Sequence, residues 1–272
     1  MSANNRLKRG FYRQGPDYRF DDQVDFSDIR DTFGFRTMVV GKWVTKEERF
    51  ISANLIYDAL ADLAQILQVP PKTIGLRGKL NFAFGHGGQQ HVQAHYNSRT
   101  RTLALAKNAG GGALAHEWFH AFDHHITKHI FPQHSPQHFA SKLWLEHTIE
   151  QSHPLNLALN KFYQGVFLEP TGQHANQYVL DCIEFDKQQQ QFYMSMPEEL
   201  AARSFEACTA CNEQIVNHFL VSGLNSSALI YPKHDSLKIC NNALNNYFSQ
   251  LGHDFFKIIN KYCGGFKILF QP

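Results

Sequence analysis

Two histidines stand four residues apart in His116-Glu117-Trp118-Phe119-His120, with a glutamate directly after the first. On a helix, positions i and i+4 lie about 40° apart around the axis and one turn apart along it. Two imidazoles so placed can hold one Zn²⁺ at about 2.0–2.1 Å each. Glu117 falls one step round the helix, beside the open coordination position, where it can serve as a general base towards water.

The chain is rich in histidine, with 16 in 272 residues. At that frequency HExxH arises by chance with a probability of about 4%. The context lowers this further. Ala113-Leu114-Ala115 and Ala121-Phe122 flank the motif with helix-compatible residues, and Gly110-Gly111-Gly112 and a strand-like stretch precede it. No Gly-Lys-Ser/Thr follows those glycines, so a tight strand-to-helix turn is expected rather than a phosphate loop.

A catalytic zinc takes three protein ligands and keeps one position open. The extended pattern HExxHxxGxxH is excluded, because Asp123 and Ile126 stand where its Gly and His would be. His124 lies a further turn along, but a rigid helix cannot bring three successive turns onto one tetrahedral ion. His124, His125 and His129 therefore read as surface or outer-layer residues, and a distant carboxylate is the remaining source. The best stretch is Pro197-Glu198-Glu199-Leu200-Ala201-Ala202-Arg203-Ser204-Phe205-Glu206. On a helix, Glu199, Arg203 and Glu206 share one face, and Glu198 points about 100° away. The same spacing also fits a surface ion-pair stripe of Glu199 with Arg203.

Composition sets the frame. Hydrophobic residues make up 43% and charged residues 18%, which suits a folded chain with a sizeable core. No apolar run approaches the roughly 18 residues of a membrane span. The first 20 residues lack an apolar signal region, so a cytoplasmic protein with no membrane partner is expected. A net charge of +2 gives little pull towards nucleic acid. The cysteines are Cys182, Cys208, Cys211, Cys240 and Cys263, few and odd in number, which points to reduced thiols. Cys208 and Cys211 have CxxC spacing without a second pair, and read as core or half-buried thiols.

Residues 1–32 read as an N-terminal arm. Arg6, Lys8, Arg9, Phe11, Tyr12, Arg13, Tyr18 and Arg19 interleave base and ring, as a nucleic-acid contact would. Asp21, Asp22, Asp25, Asp28 and Asp31 offset them, so a surface arm is expected. Thr37–Val40 predicts a strand. Thr45 and Glu48 form a capping box for a helix with Ile51, Leu55, Ala59, Leu63 and Leu67 on one stripe, which Pro70-Pro71 stops. Thr73–Leu76, Lys79–Phe84, Val92–Tyr96 and Thr102–Ala106 predict strands, the last two as a hairpin. Ser135-Pro136 starts a segment, 154–166 and 176–192 predict helices, Ser195 with Glu198 starts a helix reaching Leu220, and two more fill 238–261. Helix, small mixed sheet and then helices give an α+β fold.

Several stretches taken in order resemble a known family. They are Phe33-Gly34-Phe35-Arg36, Gly41-Lys42-Trp43-Val44, Glu48-Arg49, Tyr57–Ala64, Leu80–Gly85, Ala94-His95-Tyr96 and Gly112–Asp123. Together, over roughly residues 33–207, they resemble the bacterial and phage zincin-like large polyvalent protein-associated domain. Stand-alone bacterial members are labelled as relatives of the calcium-activated chloride channel regulators. The resemblance implies one metallopeptidase-like domain over 33–272, with the sheet and HExxH helix to about 130 and a helical part after it.

A looser resemblance, to lethal-factor-type gluzincins, concerns the third ligand. In those enzymes a Tyr shortly precedes a helix whose first Glu binds zinc. Carried over, this implies Glu199 as ligand and Tyr193 as an oxyanion-stabilising phenol. Arg203 replaces that family's outer Glu, which leaves Asp123 or Glu206 to accept a hydrogen bond from a ligand histidine.

The expectation is a zinc-dependent peptidase acting on a protein or peptide, with His116, His120 and Glu199 on Zn²⁺, Glu117 as base, and Thr102–Ala106 as the edge strand for substrate. Two other classes stand beside it. One is a non-catalytic zincin-fold accessory protein of a mobile element, bound to DNA or a protein partner. The other is a protease toxin or effector.

Overall fold

The Thr45 hydroxyl accepts a hydrogen bond from the Glu48 amide while the Glu48 carboxylate accepts one from the Thr45 amide, closing the reciprocal cap expected from sequence. In the computed structural model this cap starts helix α2, Lys46–Ile66. The structure describes residues 7, 10–86, 94–107, 111–135, 137–149, 153–224 and 229–262, the last five for their backbone alone.

Four strands follow from the apolar runs. β2 is Thr37–Val40, β3 Asn81–Phe84, β4 Ala94–Asn97 and β5 Thr102–Leu105, in the order β2-β3-β5-β4. β2, β3 and β5 run parallel, with Phe82 opposite both Met38 and Leu103, and β4 is antiparallel to β5. Phe82, Ala83 and Phe84, and likewise Leu103, Ala104 and Leu105, are buried, as interior strands require. The expected edge strand is corrected here: β5 lies between two neighbours, and β4 and β2 form the edges. β5 is the more apolar strand of the hairpin, so it takes the centre.

Thr73–Leu76 is a correction as well. Pro71–Thr73 forms a 3₁₀ turn, and Leu76, Arg77 and Gly78 all take positive φ before β3. Pro71 opens that turn well because its φ is already set.

The helices are α1 Phe26–Phe33, α3 Leu114–Ile130, α4 Ala140–Trp144, α5 Pro154–Phe167, α6 Gln177–Gln188, α7 Pro197–Ala210 and α8 His234–Tyr262. The architecture is thus α+β, with eight α-helices among the described residues. α7 stops at Ala210, ten residues short of the expected Leu220; Asn212 accepts hydrogen bonds from the Gln214 and Ile215 amides and turns the chain into β6, Val216–Asn217. The two helices expected over 238–261 are one continuous helix. Pro136 lies outside the described residues, and the helix that follows starts at Ala140.

Residues 10–33 are built into the fold, which corrects the reading of a surface arm for that stretch. Asp25 caps α1, and Ile29 and Phe33 of that helix are fully buried. β1, Arg13–Gln14, pairs antiparallel with β6. Arg13 makes a bidentate pair with the buried Asp62 of α2, both bonds 2.8 Å, and Asn217 donates to the same carboxylate at 2.7 Å. Arg19 grips Asp58 one turn earlier, at 2.8 and 3.0 Å. Arg13 and Arg19 are spent on α2, not on an outside anion, and Arg6, Lys8 and Arg9 lie outside the described residues.

Behind the sheet, α3 packs on α7, and α5 on α8. Trp118, Phe119, Phe122, Phe205 and Phe248 form one aromatic cluster, and the Trp118 indole donates to the Ile74 carbonyl at 2.9 Å. Among the described residues, no helix is long and apolar enough to cross a membrane.

Candidate metal centre

The N-terminus of α3 is pinned by the segment after β6. The Gly112 amide donates to Phe219 O at 2.8 Å, the Ser222 amide to Gly112 O at 3.0 Å, and the Ala115 amide to Leu220 O at 3.1 Å. Gly112 takes φ +97°, and a Cβ there would meet the Ser222 hydroxyl at 1.9 Å, so only glycine fits this approach. The aromatic face of α3 faces the core, and that fixes which way its His116 and His120 face looks.

α7 arrives opposite. Pro197 stands in its first turn, and Glu199 is buried two residues later. His116 Nε2 lies 3.1 Å from His120 Nε2, His116 Nε2 3.3 Å from Glu199 Oε2, and His120 Nε2 3.3 Å from Glu199 Oε1. These edges can be tested against an ion. Donors at about 2.0–2.1 Å on a tetrahedral centre stand about 3.3–3.4 Å apart. The observed triangle has that size. Glu199 Oε2 is also buried without a hydrogen-bond partner, as expected of a carboxylate that keeps a lone pair for a cation. His116, His120 and Glu199 can hold a metal ion, and among the described residues they are the one group of His, Cys, Asp and Glu that can. Cys208 is buried and Cys211 exposed, both as thiols outside this group.

The surroundings tune the triangle. Burial works against a charged His116, but Glu199 and Glu206 outweigh it and push its pKa up to about 10. Burial likewise works against a charged Glu199, yet His116 and His120 hold it well below the usual carboxylate range. His116 Nδ1 lies 3.4 Å from Glu206 Oε2, so Glu206 is the outer carboxylate on that histidine. Asp123 does not share this task. It is fully buried and accepts from the Ser141 amide at 3.0 Å, the Ser141 hydroxyl, and the Tyr163 hydroxyl at 2.7 Å. Asp123 ties α3 to α4 and α5, and its pKa is raised to about 6 by burial.

Arg203 is 3% exposed. It lies 3.6 Å from Glu199 Oε2 and donates to Ile230 O at 2.9 Å and to Met194 O. Glu198 is outside the triangle. Glu117 is half-buried, one step along α3 from His116. Tyr193 is 46% exposed, and burial and the adjacent Glu199 carboxylate raise its phenol pKa. His124 is buried rather than at the surface, with Nδ1 2.8 Å from the Tyr96 hydroxyl of β4.

Two contributors escaped the sequence reading. Asp186, at the end of α6, accepts from the Tyr193, Met194 and Ser195 amides and from the Ser195 hydroxyl, and so sets the loop that delivers Tyr193 and starts α7. The acid-rich run before Tyr193 was the available signal, but nothing in it singles out Asp186. Tyr231 lines a cavity of about 540 Å³ together with Gly112, His116 and Glu206, and burial and Glu206 push its phenol up to about 12. It comes from a loop with no periodic signal.

Comparison with known proteins bears on part of this site. Residues 185–255 match the family model described as large polyvalent protein-associated domain 1. The matched stretch carries Asp186, Tyr193, Glu199, Arg203, Glu206 and Tyr231, and lies C-terminal to all of the motifs quoted for the resemblance. The HExxH helix is outside it. No curated protein and no solved structure matches the chain. Residues 185–255 of this chain are thus similar to the large polyvalent protein-associated domain 1, the family that its sequence resembles.

Proposed function

We propose that this chain is a zinc-dependent peptidase with a zincin-type site. The supporting observation is the donor triangle of His116, His120 and Glu199 with Glu117 one residue after the first histidine. Two imidazoles and one carboxylate suit zinc and leave a position for water. A zinc ion held there supplies Lewis acidity, acidifying water and polarising the scissile carbonyl.

The protein's own groups do the rest. Glu117 accepts the proton of the attacking water on its carboxylate and passes it to the leaving amine. The Tyr193 hydroxyl, at the half-exposed edge of the site, donates a hydrogen bond to the oxyanion of the tetrahedral intermediate. Glu206 orients the His116 ring through Nδ1. β4, the antiparallel edge strand packed beside α3, is the strand to which an extended peptide adds.

The test is zinc content and cleavage of a random peptide library for wild type, Glu117→Gln and His116→Ala. Glu117→Gln is expected to keep about one zinc per chain and to lose hydrolysis by a factor of about 10² or more. His116→Ala is expected to lose the metal. Equal cleavage by wild type and Glu117→Gln sinks the mechanism, and full metal occupancy in His116→Ala sinks the site.

A further inference from the structure

The face of α3 turned away from His116 and His120 borders a second cavity, of about 360 Å³. Its walls are apolar: Phe122 and Ile126 of α3, Leu155 of α5, and Phe248, Leu251 and Phe255 of α8. That volume falls in the range of small-molecule pockets, about 300–1,000 Å³. The metal-binding residues take no part in it.

Arg77, His125 and His129 border the cavity, and among the described residues no acidic side chain does. Thr73, His153, Asn156 and Tyr247 add neutral polar groups, and Arg77 is the one permanently charged side chain in the lining. The Arg77 guanidinium lies 5.4 Å over the Phe255 ring, so it stands against the apolar wall. Arg77, Arg101 and Lys128 make no ion pair among the described residues. Their field is felt at His125: burial first, then Lys128, His129, Arg101 and Arg77, depress its pKa to about 3. Arg77 itself sits at φ +58°, between Leu76 and Gly78, also at positive φ. The Arg77 cation at an apolar cavity, with no acidic side chain among its described lining residues, is complementary to a molecule with an apolar body and one negative end.

We propose that this cavity binds a small amphipathic carboxylate, its apolar chain lying among the α3, α5 and α8 side chains and its carboxylate on the Arg77 guanidinium. Arg77 presents a planar fork that matches a carboxylate. The rear of α3, which carries both candidate metal-binding histidines on its other side, is then a ligand-binding wall. The proposal stands whether or not the peptidase reading holds, because it draws on different residues and is read by binding alone.

The test is calorimetric titration of the full chain with decanoate and with decylammonium, which has the same chain length and opposite charge, each below its aggregation concentration. One decanoate per chain is expected, with decylammonium at least about tenfold weaker. Shortening the probe to octanoate removes two methylenes and weakens binding by about fourfold for each. Arg77→Asn, a residue that tolerates positive φ, is expected to abolish the preference for the carboxylate while the chain stays folded. Leu155→Trp, which fills the cavity, is expected to weaken both probes. Absence of saturable decanoate binding, equal affinity for the two probes, or an unchanged preference in Arg77→Asn overturns the proposal. Binding that appears only after deletion of residues 263–272 also overturns it, since the chain would then occupy the cavity itself.

Discussion

The Arg203 guanidinium lies 3.6 Å from Glu199 Oε2, one turn along the same helix, and both side chains are buried. The carboxylate that completes the donor triangle is therefore shared between a fixed cation and two imidazoles. An exposed pair at this spacing contributes little. This one is held by the Ile230 and Met194 carbonyls, and it keeps Glu199 from being a lone buried charge before any metal arrives.

Arg203→Met tests that role. Removing one partner of a buried pair costs about 3–5 kcal/mol of stability. The melting temperature is expected to fall sharply in the presence of a chelator. Zinc is then expected to raise it by more in the variant than in wild type, because Glu199 has lost its other cation. An equal zinc-induced rise in both proteins would show that Arg203 and the metal do not compete for the same charge.

The three glutamates of α7 separate by zinc affinity under chelator competition. Glu199→Ala is expected to lose binding almost entirely. Glu206→Ala, which removes the partner of His116 Nδ1, is expected to lose about 10–100-fold. Glu198→Ala is expected to bind as wild type. Wild-type affinity in Glu199→Ala would displace the ligand assignment, and with it the likeness to lethal-factor-type enzymes.

Tyr193→Phe removes one hydroxyl at the half-exposed edge of the site. On the peptidase reading, kcat is expected to fall by about 10²-fold, with metal content and KM near wild type. A rise in KM at unchanged kcat would assign the phenol to substrate binding instead.

The Glu48–Lys107 pair gives a pH-dependent contribution to stability. Lys107 Nζ lies 2.8 Å from Glu48 Oε1 and 4.2 Å above the Trp43 ring, joining the start of α2 to the end of β5. Burial opposes the Glu48 charge, but the Lys107 and Thr45 hydrogen bonds prevail and lower its pKa from 4.5 to about 2. A carboxylate depressed in the folded state stabilises above its unfolded pKa and loses that contribution as pH falls through the folded value. Glu48→Gln is expected to cost about 1–3 kcal/mol near neutral pH. In urea melts, the gap from wild type is expected to start closing below pH 4.5 and to vanish near 2. A gap that persists at the lowest pH would assign the loss to packing.

Local chemistry was legible in the chain itself. HExxH announces two donors because its spacing is the helical repeat, and the Thr45–Glu48 box announces the start of α2 because both of its bonds close within four residues. The apolar runs at Thr37–Val40, Leu80–Phe84 and Thr102–Leu105 announce strands for the same reason: period and burial are properties of neighbours. None of these depends on distant residues. Partnership across the chain was not legible. β5 is central and β4 the edge because β5, the more apolar arm of the hairpin, pairs in parallel with β3, a pairing made across the chain. α7 ends at Ala210 because Asn212 captures two amides, although the pattern beyond it continues as a helix could. Asp123 serves Ser141 and Tyr163 rather than a ligand histidine, since it stands two turns along α3 from His116, about 10 Å away, where α4 and α5 reach it. The basic residues Arg13 and Arg19 turn inward because Asp62 and Asp58 wait on α2, one turn apart. Sequence determines what each segment can offer. Which donor meets which acceptor depends on long-range packing, and only the tertiary structure decides it.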